Sequence, residues 1–230
     1  MEDHSHIVLP HKGYKINMNV LYIYAHQEPA SFNAALKAVA VETLENAGHN
    51  VKVSDLYGMH FKPVLDASDF MQRKKPDKLA LFPEQINATK TGTFVPDIME
   101  EMDKVKWADL LIFQFPIYFT GMPAIMKGWL DRIFTAGFAF DPITQGVYEN
   151  GLLKGKKVMM TITTGADENT YSEGGAHGDI QTLLKYITHC IFEYVGLEVL
   201  PSYIMFSVNS QSQEKGQQRL ENYGEILKGL

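Results

Sequence analysis

The chain runs to 230 residues with 45% hydrophobic and 21% charged side chains, the balance of a folded globule rather than of a disordered or membrane-embedded chain. Its 21 Lys and Arg stand against 27 Asp and Glu, a formal net charge of -6, which argues against nucleic acid or an anionic membrane surface as partner. Cys190 is the only cysteine, so internal disulfides and cysteine-rich zinc or iron–sulfur sites are excluded and a reducing compartment, the cytoplasm, is expected.

Residues 1–17 carry His4, His6 and His11 but no apolar run of the roughly 7–15 residues that an export signal needs. They read as an extension ahead of one domain, 18–230. The histidines lack the further ligands of a metal site, and none is expected. Residues 19–25 are continuously apolar, the pattern of a strand buried on both faces. From Asn33, Leu36, Val39, Ala40, Leu44 and Ala47 recur at helical spacing up to Gly48, a C′ glycine. A second strand at 50–54 completes a βαβ unit and predicts a parallel sheet.

The stretch 55–96, with Pro63, Pro76, Pro83 and Pro96, breaks the rhythm. A helix over 97–106 follows, with Ile98, Met102 and Val105 inward and its charges elsewhere, then a buried strand at 110–115. Pro123 opens a helix with Met126, Trp129, Leu130 and Ile133 as its apolar stripe. Residues 157–162 read as a strand, 180–195 as a helix, 198–206 as a fifth strand, and the chain from Gln213 as a glycine-interrupted helix. Five strands alternating with about five helices predict an α/β fold, a doubly wound five-stranded parallel sheet with helices on both faces. In such sheets ligands bind outside the carboxyl ends of the strands, which selects the loops 26–32, 116–122 and 163–177.

None of these loops carries G-x-G-x-x-G, a P-loop, G-x-S-x-G or H-E-x-x-H. The first offers His26, Ser31 and Asn33 at a helix N-terminus, where unpaired N–H groups favour phosphate; Ser31 reads equally as a plain cap. In the second, Tyr118 and Phe119 either flank a flat ring or pack into the core. In the third, Gly174, Gly175 and Gly178 free the backbone around His177. Tyr171 and His177 can donate to a group acquiring negative charge, or simply face solvent.

Taken together, His26 with Ser31-Phe32-Asn33, Phe113-Gln114-Phe115-Pro116 ahead of Gly121-Met122-Pro123-Ala124-Ile125-Met126-Lys127-Gly128-Trp129, and Thr163-Thr164-Gly165 with Tyr171-Ser172 and His177-Gly178-Asp179 carry a specific likeness. From Met18 onward the chain resembles the NAD(P)H:quinone oxidoreductase (DT-diaphorase) family of flavodoxin-like flavoproteins, over nearly the whole domain.

The resemblance implies a flavodoxin-like fold and a tightly bound FAD, with FMN as the alternative. His26, Ser31, Phe32, Asn33 and Ala35 would hold the diphosphate. Pro116, Ile117, Tyr118 and Phe119 would line the isoalloxazine, and Thr163, Thr164 and Gly165 its pyrimidine side. Tyr171, also against the cofactor, and His177 would form the catalytic pair. NAD(P)H is the implied co-substrate and a quinone the acceptor, in a ping-pong, two-electron hydride transfer. A homodimer is implied too, with Trp129, Phe134, Phe138 and Phe140 as aromatic candidates for its interface.

The chain departs from the family pattern in places. Tyr118-Phe119-Thr120 replaces a Gln-Trp-Phe run, Phe140 and Pro142 replace two tyrosines at the pocket mouth, Ala166 replaces a glycine, and His189 alone stands for a metal-binding set. Two other readings stay open. One is an FMN-dependent azo or nitro reductase, or potassium-efflux ancillary reductase, of the same fold. The other is a non-catalytic electron carrier or regulatory binding protein.

Overall fold

A computed structural model describes residues 17–230. The segment 1–16, with His4, His6 and His11, lies outside the described residues.

Six strands form one parallel sheet: β1 (Asn19–Tyr24), β2 (Asn50–Asp55), β3 (Leu110–Pro116), β4 (Lys157–Thr163), β5 (Glu198–Val199) and β6 (Tyr203–Met205). Their order is β2-β1-β3-β4-β5, with β6 also paired to β4. Side chains alternate between two cores, as a period of two requires. Leu21, Ile23, Leu111, Phe113, Val158 and Met160 face one side. Val20, Tyr22, Leu110, Ile112 and Met159 face the other.

The predicted fifth strand is broken in two. Val199 pairs with Val158 and Tyr203 with Thr161, so the edge strand carries one residue more than β4 between those pairs. Pro201 lies inside that bulge, where it owes the ladder no N–H.

On the second core lie α1 (Phe32–Asn46) and α6 (Gln213–Lys228). Helix α1 buries Leu36, Ala40 and Leu44 and ends in a paired cap: Gly48 N–H donates to Glu45 O at 2.9 Å and His49 N–H to Leu44 O at 3.0 Å. Gly48 takes a φ of +93°, as expected of a C′ glycine.

The first core is covered by α2 (Leu81–Thr91), α3 (Pro96–Trp107), α4 (Ala124–Ile133) and α5 (Ile180–Ile187). The predicted helix over 180–195 changes character, passing from α5 into a π-helical turn, Thr188–Phe192, and a last 3₁₀ turn, Glu193–Val195. Pro123 stands one residue before α4, where Met126 and Lys127 N–H groups donate to its carbonyl.

The stretch 55–96 contains a helix, α2, that sequence periodicity did not reveal, and it packs as a strap against α4. Buried Arg132 of α4 holds it by donating to Asp69 at 2.9 Å and the carbonyl of Lys62 at 2.9 Å, and reaches Asp97 in the first turn of α3 at 2.6 Å. A Cβ on Gly128 would come within 2.1 Å of Pro63 O, so glycine alone allows this approach. The charges of α3 are not all outward. Glu101 is fully buried, accepting from Ser54 Oγ at 2.7 Å and Trp129 Nε1 at 2.8 Å and pairing with Lys104.

Candidate active site

The carboxyl ends of β1, β3 and β4 are adjacent in the sheet, so the loops that follow them converge on one edge. Where β1 passes into α1, Ser31 has β-region dihedrals and its Oγ accepts from Ala34 N–H at 3.1 Å, while its carbonyl accepts from Ala34 and Ala35. The plain cap reading of Ser31 is therefore satisfied. The N–H groups of Phe32 and Asn33 still have no acceptor inside the helix and lie at the positive end of its dipole. His26 accepts a hydrogen bond on Nδ1 from Glu28 N–H at 3.0 Å, which leaves Nε2 for other partners.

After β3, Tyr118 and Gly121 exchange both backbone hydrogen bonds, at 2.9 and 3.0 Å. Phe119 and Thr120 between them have φ of +48° and +61°. Such a turn ordinarily takes Asn-Gly, so a phenylalanine and a β-branched threonine here are strained. Phe119 is fully exposed and Tyr118 partly so, its hydroxyl donating to Gln27 Oε1 at 3.1 Å across the first loop. Core packing therefore does not account for these two aromatics. Pro116 is buried and Ile117 N–H donates to Thr163 O at 2.9 Å, which ties the second loop to the third.

In the third loop Thr164 Oγ1 accepts from Ala166 N–H, and Gly165 is exposed. Tyr171 is 5% exposed while His177 is open to solvent, their rings 5.1 Å apart. Gly175 makes that arrangement feasible, since a Cβ there would sit 2.1 Å from Asn169 O. The structure thus brings Tyr171 and His177 together, and His26 stands apart from them on the first loop.

Asn33 and Thr163 lie together beneath the loops. Both are buried, and Asn33 Nδ2 donates to Thr163 Oγ1 at 3.0 Å. Gln114 Nε2 donates to Asn33 O at 2.7 Å, and Tyr22 Oη to Gln114 Oε1 at 2.5 Å. Tyr223 Oη lies 3.1 Å from Tyr22 Oη and 2.7 Å from Thr161 Oγ1. Burial pushes the Tyr22 phenol well above its ordinary value and Tyr223 up to about 12, so both stay neutral.

Sequence reading missed this buried chain and a fourth wall, the turn after β6. There Phe206 lies 6.1 Å from the Tyr171 ring, and Asn209 fills the space a side chain on Gly165 would need. Tyr22 and Tyr223 are 201 residues apart, and no local pattern connects them.

The interface aromatics divide. Trp129 and Phe134 belong to the core, Trp129 edge-on to Phe113 at 5.6 Å; Phe138 and Phe140 are half-buried.

The residues at this edge fit a flat, anionic cofactor. An open helix N-terminus stands beside exposed aromatics. Tyr24, the last residue of β1, has a buried hydroxyl beside Ser31, the cap of α1. Among the described residues no three His, Cys, Asp or Glu side chains gather as a metal site, and no helix is long and apolar enough to cross a membrane.

Residues 18–227 match a family model described as a flavodoxin-like fold. The ribosyldihydronicotinamide dehydrogenase (quinone) of Mus musculus is 42% identical over 212 residues, 92% of this chain and 91% of its own. The NAD(P)H dehydrogenase (quinone) 1 of Rattus norvegicus is 39% identical over 208 residues, 90% of this chain and 75% of its own. A solved structure provisionally assigned as a quinone reductase, from Klebsiella pneumoniae, superposes with a TM-score of 0.87 at 37% identity, covering 92% of this chain and 84% of that one.

Proposed function

The chain belongs to the flavodoxin-like fold family, and from that membership we propose that it is an FAD-dependent NAD(P)H:quinone oxidoreductase acting on a small-molecule quinone. One observation carries the reading: three loops, one with open helix amides, one with strained and exposed aromatics and one with a Tyr–His pair, meet at the carboxyl edge of neighbouring strands. The quinone dehydrogenases named above, at about 40% identity across most of the chain, support it.

Bound at this edge, a flavin supplies hydride acceptance from reduced nicotinamide and hydride donation to a quinone. The protein supplies position and charge. The Phe32 and Asn33 amides, the Ser31 turn, Ala35 and His26 Nε2 receive the diphosphate. Pro116, Ile117, Tyr118 and Phe119 form the flat wall and exclude water from the ring. Gly165 presents backbone to the opposite edge, while Thr164, whose N–H donates to Met205 O at 2.9 Å, joins Asn33 and Thr163 in holding the loop roots. The Tyr171 hydroxyl donates toward charge that develops during transfer, and the His177 imidazole stands beside it at the mouth, its ring 5.1 Å from the Tyr171 ring.

In this reading 18–230 is the working domain, the free and exposed Cys190 suits the cytoplasm, and the active form is a homodimer. Exposed Phe82 and Ile143, facing one groove with Pro83 and Ile86, provide apolar surface for a second copy.

The test is to release the cofactor by heat, identify it by chromatography, and titrate the holoprotein anaerobically with NADH and NADPH. FAD and bleaching within seconds are expected. FMN would assign the azo or nitro reductase reading, and a yellow colour that persists would assign a binding protein without turnover.

A further inference from the structure

The buried chain beneath the loops has a direction that its chemistry settles. Asn33 O is a carbonyl and only accepts, so the Gln114 atom 2.7 Å away is the amide nitrogen. Gln114 Oε1 therefore faces Tyr22, which spends its single proton there. Tyr223 must then donate to Tyr22, and Thr161 to Tyr223. Every proton runs one way, from Thr161 on β4 through α6 and β1 to Gln114 on β3 and the first turn of α1. The chain returns to β4 where Asn33 Nδ2 reaches Thr163.

We propose that Gln114 is a positioning residue of the cofactor site: its amide, oriented by Tyr22 and Tyr223, fixes the first turn of α1 against the roots of the loops after β3 and β4. The proposal rests on the flavin reading. A flavin must be gripped at its diphosphate by one of these elements and along its ring by the other two. A shift between them would misplace one end while the other stays held, and tolerance for misplacement is small in a preorganised site. Tyr22, Gln114 and Tyr223 are fully buried, so they act on the loops from beneath.

The direction makes a specific demand, a donor at the Nε2 position of Gln114. Gln114→Glu keeps the shape and makes that demand depend on pH. A protonated carboxyl donates to Asn33 O, whereas an ionised one sets an acceptor against an acceptor in a buried place. The titratable groups facing it are Tyr22 from β1 and Tyr223 from α6, both neutral between pH 5 and pH 8 by the shifts given above. Asn33, Thr161 and Thr163 do not titrate there.

The experiment strips the flavin from wild-type, Gln114→Glu, Gln114→Leu and Tyr22→Phe proteins and measures FAD and FMN affinity by fluorescence quenching from pH 5 to 8. Circular dichroism at each pH checks the fold. Each affinity is read as a ratio to wild type at the same pH. Gln114→Glu should bind within about threefold of wild type at pH 5 and at least about tenfold more weakly at pH 8, with no loss of secondary structure. Tyr22→Phe, which frees Gln114 Oε1 and leaves the Tyr223 hydroxyl without its acceptor, should weaken binding severalfold at all pH values. Gln114→Glu tracking wild type throughout, with Gln114→Leu, which has no donor at any pH, doing the same, overturns the positioning role. If Gln114→Glu unfolds at high pH, Tyr22→Phe decides, and an unchanged affinity overturns the proposal. A wild-type apoprotein that takes up neither flavin overturns the flavin reading and the proposal with it.

Discussion

Arg132 shows how much one side chain carries. Its guanidinium is buried between Asp69 and Asp97 and stacks 4.8 Å over the Phe61 ring, so it joins the strap to α4 by charge and by packing. Arg132→Ala should cost about 2–4 kcal/mol in urea unfolding, because buried Asp69 would keep only the Lys62 ammonium at 3.0 Å and the Asp66 N–H at 3.1 Å as partners. A loss below about 1 kcal/mol would show that the strap is held by packing alone. Gly128→Ala acts at the same contact, and a drop of about 1–3 kcal/mol is expected from overpacking against Pro63. At the mouth of the site, Tyr171→Phe and His177→Gln should slow the reductive half-reaction in stopped flow more than they weaken flavin binding. Unchanged rates in both variants would remove the pair from the chemistry.

At the scale of elements, the turn 118–121 and the edge strand show local preference giving way to context. Thr120 is β-branched with a φ of +61°, a conformation that glycine adopts freely. Thr120→Gly should raise thermal stability, by about 1 kcal/mol, and lower turnover as the aromatic wall loosens. A variant that loses stability would mean that Thr120 makes contacts outweighing its strain. Most elements were legible in the sequence. The apolar spacing of α1, the stripe of α4 and the two-sided burial of β1 and β3 follow from periodicity alone. Helix α2 was not, because Pro83 and a mixed polar surround hide a short helix whose inward face includes Glu84 and Gln85. The break at Pro201 depends on what β4 offers opposite, which no local pattern states.

For the whole molecule, charge placement predicts an acid-sensitive fold. The Lys62 ammonium and Ser68 hold Asp66 well below the usual carboxylate range, backbone N–H groups of Lys74 and Lys75 lower Glu84, and Thr144, Thr170 and Thr182 lower Asp141, Asp167 and Asp179. A carboxylate with a lowered folded pKa contributes stability that is complete above its unfolded pKa of about 4 and is lost as pH falls through the folded value. Tyr22 and Tyr223, with raised folded values, contribute below about pH 10 and lose it as pH rises. The urea midpoint should therefore be level from pH 6 to 8 and fall below about pH 4; a midpoint unchanged at pH 3 would contradict this. Sedimentation should give about twice the chain mass of 26.0 kDa, and a monomer that turns over at full rate would end the homodimer reading.

The sequence by itself determined the alternation of strands and helices, the parallel sheet and the three loops where a ligand would bind, since each rests on periodicity or on neighbours a few residues apart. It also named Ser31, Tyr118, Phe119, Tyr171 and His177 as residues to watch. Only the tertiary structure decided which of them face outward and which are spent on holding the site. The Asn33 and Thr163 side chains, far apart in the chain, are a hydrogen-bonded pair in the fold. Gln114 stands in a motif of the likeness, but nothing local ties it to Tyr22 and Tyr223, with which it joins into one directed chain. The reason is physical: a buried polar group must find its partner, and in a parallel sheet that partner comes from a strand or helix far away in sequence.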